Sequence, residues 1–333
     1  MPTPSKTALI TRVAELYYER ELSQKDIADM LSLSRPMVSR LIAEAKETGI
    51  VSIHIRRPIE KREDLAAQLL ERFNLKEAIV VRSGKMAAHE GAPASNNETS
   101  RKNVGAAAAE LLSTILKDDD VVGVSWGRDL YDAVQSLPRL ELHNTQVVQL
   151  AGGLGEGNVA SDAPEIARLF SDKLGASVRY LYAPTVVQTS ATKTTLLEQA
   201  QLAQTVTLAS QLDIALTGIG ALNDSSSSLS KAGYLTSQDQ TAFQQLQGRA
   251  HLLGYILNDA GDCLKHDYNN RVVAAPLKYL KRARWSIGIA TLPQKAAAIL
   301  ATLEGGYFNT LVLSDDVATA TLELSKGNAY ARS

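Results

Sequence analysis

Arg35, Pro36, Ser39 and Arg40 recur at helical spacing and fall on one side of a turn-and-a-half of helix. A guanidinium can donate two parallel hydrogen bonds to a guanine edge, and a serine hydroxyl can meet a base or a phosphate. Arg56 and Arg57 add charge of the same sign a short way on. A second set of residues combines charge with glycine: Ser125, Gly127, Arg128 and Asp129, then Gly152 and Gly153, Gly218 and Gly220, Asn258 and Asp259, and Lys295. Glycines where strands end bring bare backbone N–H groups to a turn, and a helix that starts there favours an anion or a hydroxyl-rich molecule. A lysine beside such turns can donate to a phosphate, a carboxylate or a sugar oxygen.

The first set needs a short helix held against another. Residues 7–57 predict three helices and a strand. Leu9, Ile10, Val13, Leu16 and Tyr17 form the apolar stripe of the first helix. Ser23 is the expected cap of the second, with Asp26 three residues on. Ser34 is the expected cap of the third, with Pro36 in its first turn and Gly49 at its end. Ile27, Ala28 and Leu31 would face Val38 and Leu41, with Leu33 plugging the turn. That is the internal logic of a helix-turn-helix whose third helix turns its amino-terminal part to the major groove. Ser32 stands where many such turns use glycine, so a slightly different turn is expected there. Val51, Ile53 and Ile55 alternate with polar residues and predict a strand, which would make the unit winged. The acids Glu15, Glu19, Glu21, Asp26 and Asp29 lie in the first two helices, away from the arginines. A helical hairpin used only for packing is the alternative.

The second set needs a sheet. After a connecting helix over Glu60–Phe73, short aliphatic strands (AIVV, VVGVS, QVVQLAG, VRYLY, LDIALTGIG, SIGIA, TLVLS) alternate with helices, one of them Ala-rich near 101–116. Such alternation predicts an α/β unit with a mostly parallel sheet covered on both faces. Ligands of these sheets sit at the carboxyl ends of the strands. Gly84–Ser100 and Asn223–Ser230 break the rhythm and are expected to be loops. The expected division is 1–57 for the helix-turn-helix and 58–333 for the α/β unit.

Composition narrows the class. The chain has 333 residues, 45% of them apolar but only 5% aromatic, so aliphatic side chains must fill the core. The formal net charge is −1, so any hold on nucleic acid has to come from a local patch. One cysteine, Cys263, excludes an intramolecular disulfide and a cysteine zinc site. His89, His143, His251 and His266 lack metal-ligand spacing and are read as ordinary residues, and Asp118–Asp120 as a solvated turn. Trp126 is either a core residue or a stacking face for a sugar. No cofactor motif, secretory signal or membrane span is expected, and the cytoplasm is the expected compartment.

The run SQKDIADMLSLSRPMVSRLIAEAKETGIV, followed by VVGVSWGRDL, LAGGLG, YLYAP, TGIGAL, AGYL and ATLPQKAAAILATLEGGYFNTLVLSDD, resembles the SorC/DeoR-type family of sugar-binding regulators over nearly the whole chain. The resemblance implies a Rossmann-like effector domain related to sugar-phosphate isomerases and deaminases. It further implies operator DNA and a sugar, polyol or sugar phosphate as partners, and assembly as dimers or tetramers. Three departures from the family pattern bear on the ligand. Asp129 replaces a hydroxyl residue in the turn that faces the ligand phosphate. Thr291-Leu292 replaces a double glycine before the lysine, and Asn258 or Asp259 stands near the family's ligand carboxylate. A sugar or polyol is therefore expected ahead of a phosphorylated one, with Asp129 itself read as a carboxylate favoured by the helix dipole. An isomerase-like enzyme using Asp129, Asp259 and Lys295, and a DNA-binding protein with a vestigial pocket, remain the alternatives.

Overall fold

The computed structural model describes residues 6–51, 59–83, 95–155, 159–222 and 227–331, and the chain divides into two units, Met1–Pro58 and Ile59–Ser333. In the first unit α1 (Lys6–Ala14) runs on into a π-helical turn over Glu15–Glu19, followed by α2 (Gln24–Leu31) and α3 (Arg35–Glu47). Ser23 Oγ accepts from the Asp26 N–H at 3.2 Å and donates to the Asp26 carboxylate at 2.7 Å, which closes the start of α2. Ser34 accepts from the Met37 N–H at 3.4 Å, and Pro36 occupies the first turn of α3, where no N–H is missed. Ile10, Val13, Ile27, Ala28, Val38, Leu41 and Ala45 close into one core.

Ser32 departs from expectation. The turn between α2 and α3 keeps the left-handed conformation that a glycine would take, with Ser32 at φ +54° and ψ +41°. Its geometry is held by the N–H groups of Ser32 and Leu33, which both donate to Ala28 O. The cost is strain at a non-glycine residue, about 1 kcal/mol. The predicted strand beyond Val51, with Arg56 and Arg57, lies outside the described residues.

In the second unit α4 (Glu63–Phe73) leads into a seven-stranded sheet. Its strands are β1 (Glu77–Val81), β2 (Val121–Val124), β3 (Gln146–Gln149), β4 (Ser177–Arg179), β5 (Ile214–Gly218), β9 (Trp285–Ala290) and β10 (Thr310–Ser314). They lie in the order β1-β10-β9-β5-β2-β3-β4, every neighbouring pair parallel. Strand alternation splits the core in two. Val122, Val124, Val147, Ile214, Leu216, Ile287 and Ile289 face one side, under α5 (Ser95–Ile115), α6 (Arg128–Ser136) and α7 (Ala163–Leu174). Val121, Val148, Ala215, Leu311 and Leu313 face the other.

A second, antiparallel sheet departs from the expected strand–helix alternation: β6 (Gly220–Ala221), β7 (Gly248–Leu252) and β8 (Tyr255–Asn258). Its hairpin turns on Leu253 and Gly254, both at positive φ, as a two-residue turn matched to strand twist requires. The predicted loop over 84–100 is helical from Ser95, where Glu98 pairs with Lys102 one turn on at 2.7 Å. The loop predicted through Ser230 gives way to a short helix at Ser228. Asp120 is buried rather than solvated, because its carboxylate accepts from the Lys117 N–H and from the Arg284 guanidinium. Among the described residues no helix is long and apolar enough to cross a membrane.

The strain at Ser32 is testable by thermal unfolding followed by circular dichroism. Ser32→Gly is expected to raise stability by up to about 1 kcal/mol, and Ser32→Val to lower it by at least as much. Equal stability in both variants would show that the turn is not strained.

Candidate functional site

On α3 the buried residues Val38, Leu41, Ile42 and Ala45 leave Arg35, Pro36, Ser39 and Arg40 together on the exposed side. Among the described residues neither arginine is held in an ion pair, so both guanidinium groups keep their donors. Glu19, Glu21, Asp26 and Asp29 are also exposed, but on the turns and helix that precede this one.

In the second unit the sheet topology creates a crevice. Strands β2 and β5 are neighbours, yet the chain leaving β2 proceeds to β3 on one side and the chain leaving β5 proceeds to β9 on the other. At such a switch point the loops diverge and open a space at the strand tips. A cavity of about 680 Å³ occupies this place. Ser125, Gly127, Arg128 and Asp129 reach it from the end of β2, Gly218 and Gly220 from the end of β5, and Thr291 and Lys295 from the end of β9. Gly127 sits at φ +142° and ψ +146°, a region almost closed to side-chain-bearing residues, and from there α6 begins without a side-chain cap. The first N–H groups of α6 thus have no intrahelical acceptor.

Asp129 is in that first turn, so the helix dipole favours its charge. The side chain also does something the dipole does not require. It is 8% exposed, its Oδ1 accepts from Thr291 Oγ1 at 2.7 Å, and its Oδ2 accepts from Lys295 Nζ at 3.3 Å. The loops after β2 and β9 are therefore joined by a charge pair at the wall of the cavity.

Two further residues line the cavity: His251, which the sequence presents as an ordinary histidine, and Trp126, which it presents as core or as a stacking face. His251, on β7, is 4% exposed and places Nε2 3.5 Å from Ser227 Oγ. Burial, helped by the charge of Lys295, pulls its imidazole down from 6.5 to about 3 and keeps it neutral. A Cβ on Gly220 would stand 1.8 Å from His251 Nε2, so the ring occupies the space left by that glycine. Trp126 is buried, and its indole N–H donates to Ser228 Oγ at 3.0 Å while the ring borders the cavity. For His251 the one available signal is the alternation on either side of Leu253-Gly254, which marks a hairpin but not its neighbour.

Four predicted residues do not line the cavity. Gly152 is required elsewhere, since a Cβ there would meet Ala183 O at 2.5 Å and its N–H donates to Val273 O. Gly153 exchanges backbone hydrogen bonds with Ala183 and Thr185. Asn258 Oδ1 accepts from the Ala260 and Asp262 N–H groups and so closes its own turn, and Asp259 pairs with Arg249 at 2.5 Å. The cause is register: the hairpin brings His251 and Leu253 to the cavity and carries Asn258 and Asp259 past it. With Asp259 elsewhere, the acid–base set of an isomerase-like reading loses a member.

Comparison with known proteins matches residues 57–323 to the family described as "Putative sugar-binding domain". Residues 9–68 match the Crp-like helix-turn-helix domain. The deoxyribonucleoside regulator of Bacillus subtilis is 30% identical over 315 residues, covering 95% of this chain and 97% of its own. The sorbitol operon regulator of Klebsiella pneumoniae is 28% identical over 319 residues, covering 95% and 98%. The crystal structure of full-length SorC from Klebsiella pneumoniae superposes with a TM-score of 0.70 at 26% identity, covering 94% of this chain and 98% of that one.

The neutral state of His251 links stability to pH. An unfolded chain takes up this proton near 6.5 whereas the folded one holds off to about 3, so the contribution is full above 6.5 and is lost as pH falls through that window. The slope is about 1.4 kcal/mol per pH unit at most. In urea titrations at stepped pH, His251→Gln should lose stability less steeply than the parent between these limits. Parallel curves would mean that His251 is protonated when folded.

Proposed function

The chain belongs to the SorC/DeoR-type family of sugar-binding transcriptional regulators, and on that premise we propose that it binds operator DNA through α3 under control of a sugar, polyol or sugar phosphate held at the strand tips. It is a regulator and not an enzyme. The observation that carries the reading is that one chain joins a helix whose two exposed arginines form no ion pair among the described residues to a cavity with charged and polar groups in its wall, at the switch point of a parallel sheet. Arg35 and Arg40 supply guanine or phosphate contacts, Ser39 a hydroxyl, and Pro36 the fixed start of the helix that aims them. Arg56 and Arg57, which follow in the sequence, are proposed as further phosphate contacts.

In the effector unit, Lys295 and Asp129 offer a donor and an acceptor side by side, which suits a hydroxyl pair. Ser125, Gly127, Arg128, Gly218 and Gly220 form the surrounding walls. We assign no ligand contact to Gly152, Gly153, Asn258 or Asp259. The chain works in the cytoplasm as a homo-oligomer. A two-fold dimer fits an operator with matching half-sites about 34 Å apart, or a multiple of that. Control follows from differential affinity: the effector favours whichever arrangement of the oligomer holds it better, and the operator favours one of them.

Arg40→Ala is expected to weaken operator binding by about 1–3 kcal/mol in fluorescence anisotropy with an unchanged circular dichroism spectrum. Unchanged affinity would remove α3 from the reading role. Lys295→Ala is expected to abolish the thermal shift that a sugar or polyol gives the parent. A shift equal to the parent's would place the effector elsewhere.

A further inference from the structure

We propose that Asp129 is the residue that sets effector class: it fills the place of an anion at the inner end of the cavity, so that this end takes hydroxyls of an uncharged sugar or polyol and rejects a phosphate. The inference rests on reading the cavity as the effector site. Without the carboxylate, that end would combine the uncapped start of α6 with the ammonium of Lys295, both of which attract anions. With it, the positive end is already occupied from within. Oδ1 is engaged by Thr291 and Oδ2 by Lys295. The side chains are only 10% and 16% exposed, so water and salt screen the pair weakly.

An anion entering this end must approach a buried carboxylate, and its attraction to Lys295 is offset by that repulsion. A hydroxyl meets no such conflict. Each carboxylate oxygen has a second lone pair, and the ammonium has two donors beyond the one given to Asp129. A vicinal diol can thus donate to Asp129 and accept from Lys295 together. Neutral His251 and Ser227 line the same cavity and extend the uncharged hydrogen-bonding wall. Of the other cavity cations, Arg128 and Lys231 are exposed, where solvent screening leaves little to gain from an anion, and the half-buried Arg101 is already held by the carboxylate of Asp132.

The test is calorimetric titration of the full chain with D-ribose, D-glucose and D-glucitol, the terminal phosphate ester of each, and inorganic phosphate. In the parent, at least one neutral compound should bind about tenfold or more tighter than its own ester, and inorganic phosphate should not bind. Asp129→Ser should invert the order, losing the neutral ligand and gaining the ester and inorganic phosphate. Asp129→Asn, which keeps the shape and removes the charge, should move the same way if the serine variant does not fold. A parent that prefers the ester, or variants that keep the parent's ratio, would overturn the role of Asp129 while leaving the cavity as the effector site. Failure of every compound to bind parent and variants would overturn both.

Discussion

Adjacent strands whose chains leave in opposite directions cannot be closed over by a shared turn, and β2 and β5 impose this constraint on the second unit. The gap at their tips must be walled by loops rather than by packed aliphatic side chains. Backbone polar groups end there, and so do the uncapped N–H groups at the start of α6. Everything distinctive about the cavity follows from how the chain meets that demand. The loops come close, so close that a Cβ on Gly218 would stand 3.1 Å from Trp126 O. They are tied by side chains of opposite charge, Asp129 from one and Lys295 from another.

The small antiparallel sheet completes the wall. Its first strand, β6, continues directly from β5, and β7 pairs with it so that His251 lies opposite Gly220. The missing Cβ of Gly220 makes room for a buried imidazole, and burial near Lys295 keeps that imidazole uncharged. Trp126 reaches from the end of β2 to Ser228, which binds the following segment to the same rim. The cavity is therefore built from mutual accommodations: a glycine for a ring, a carboxylate for an ammonium, an indole N–H for a hydroxyl.

These accommodations explain what could be read in advance. Aliphatic runs such as VVGV and TLVLS announce buried parallel strands because both their faces must be apolar, and Ser23, Ser34 and Pro36 announce helix starts by local chemistry alone. Ser125, Gly127, Asp129, Gly218, Gly220 and Lys295 were legible as strand-tip residues because each follows such a run directly. His251 was not, since its place depends on a glycine that precedes it by a long stretch of chain. Asn258 and Asp259 fall outside the cavity lining for the same reason: a hairpin's register decides which residue faces inward, and sequence carries no marker of it. Ser32 shows the opposite case, in which a local preference is overridden because α2 and α3 must meet at a given angle to bury Ile27 against Val38.

The proposed reading helix α3 and the cavity lie in different units, so control of one by the other is a statement about free energy. Binding at two sites of one protein is coupled reciprocally: the factor by which effector changes operator affinity must equal the factor by which operator changes effector affinity. The direct measurement takes a sugar or polyol that binds the parent, titrates operator with and without it, and then titrates it with and without operator. Two equal ratios, different from one, are expected, and both collapse to unity when Lys295 at the cavity is replaced. An operator affinity that stays the same with the cavity saturated would contradict it.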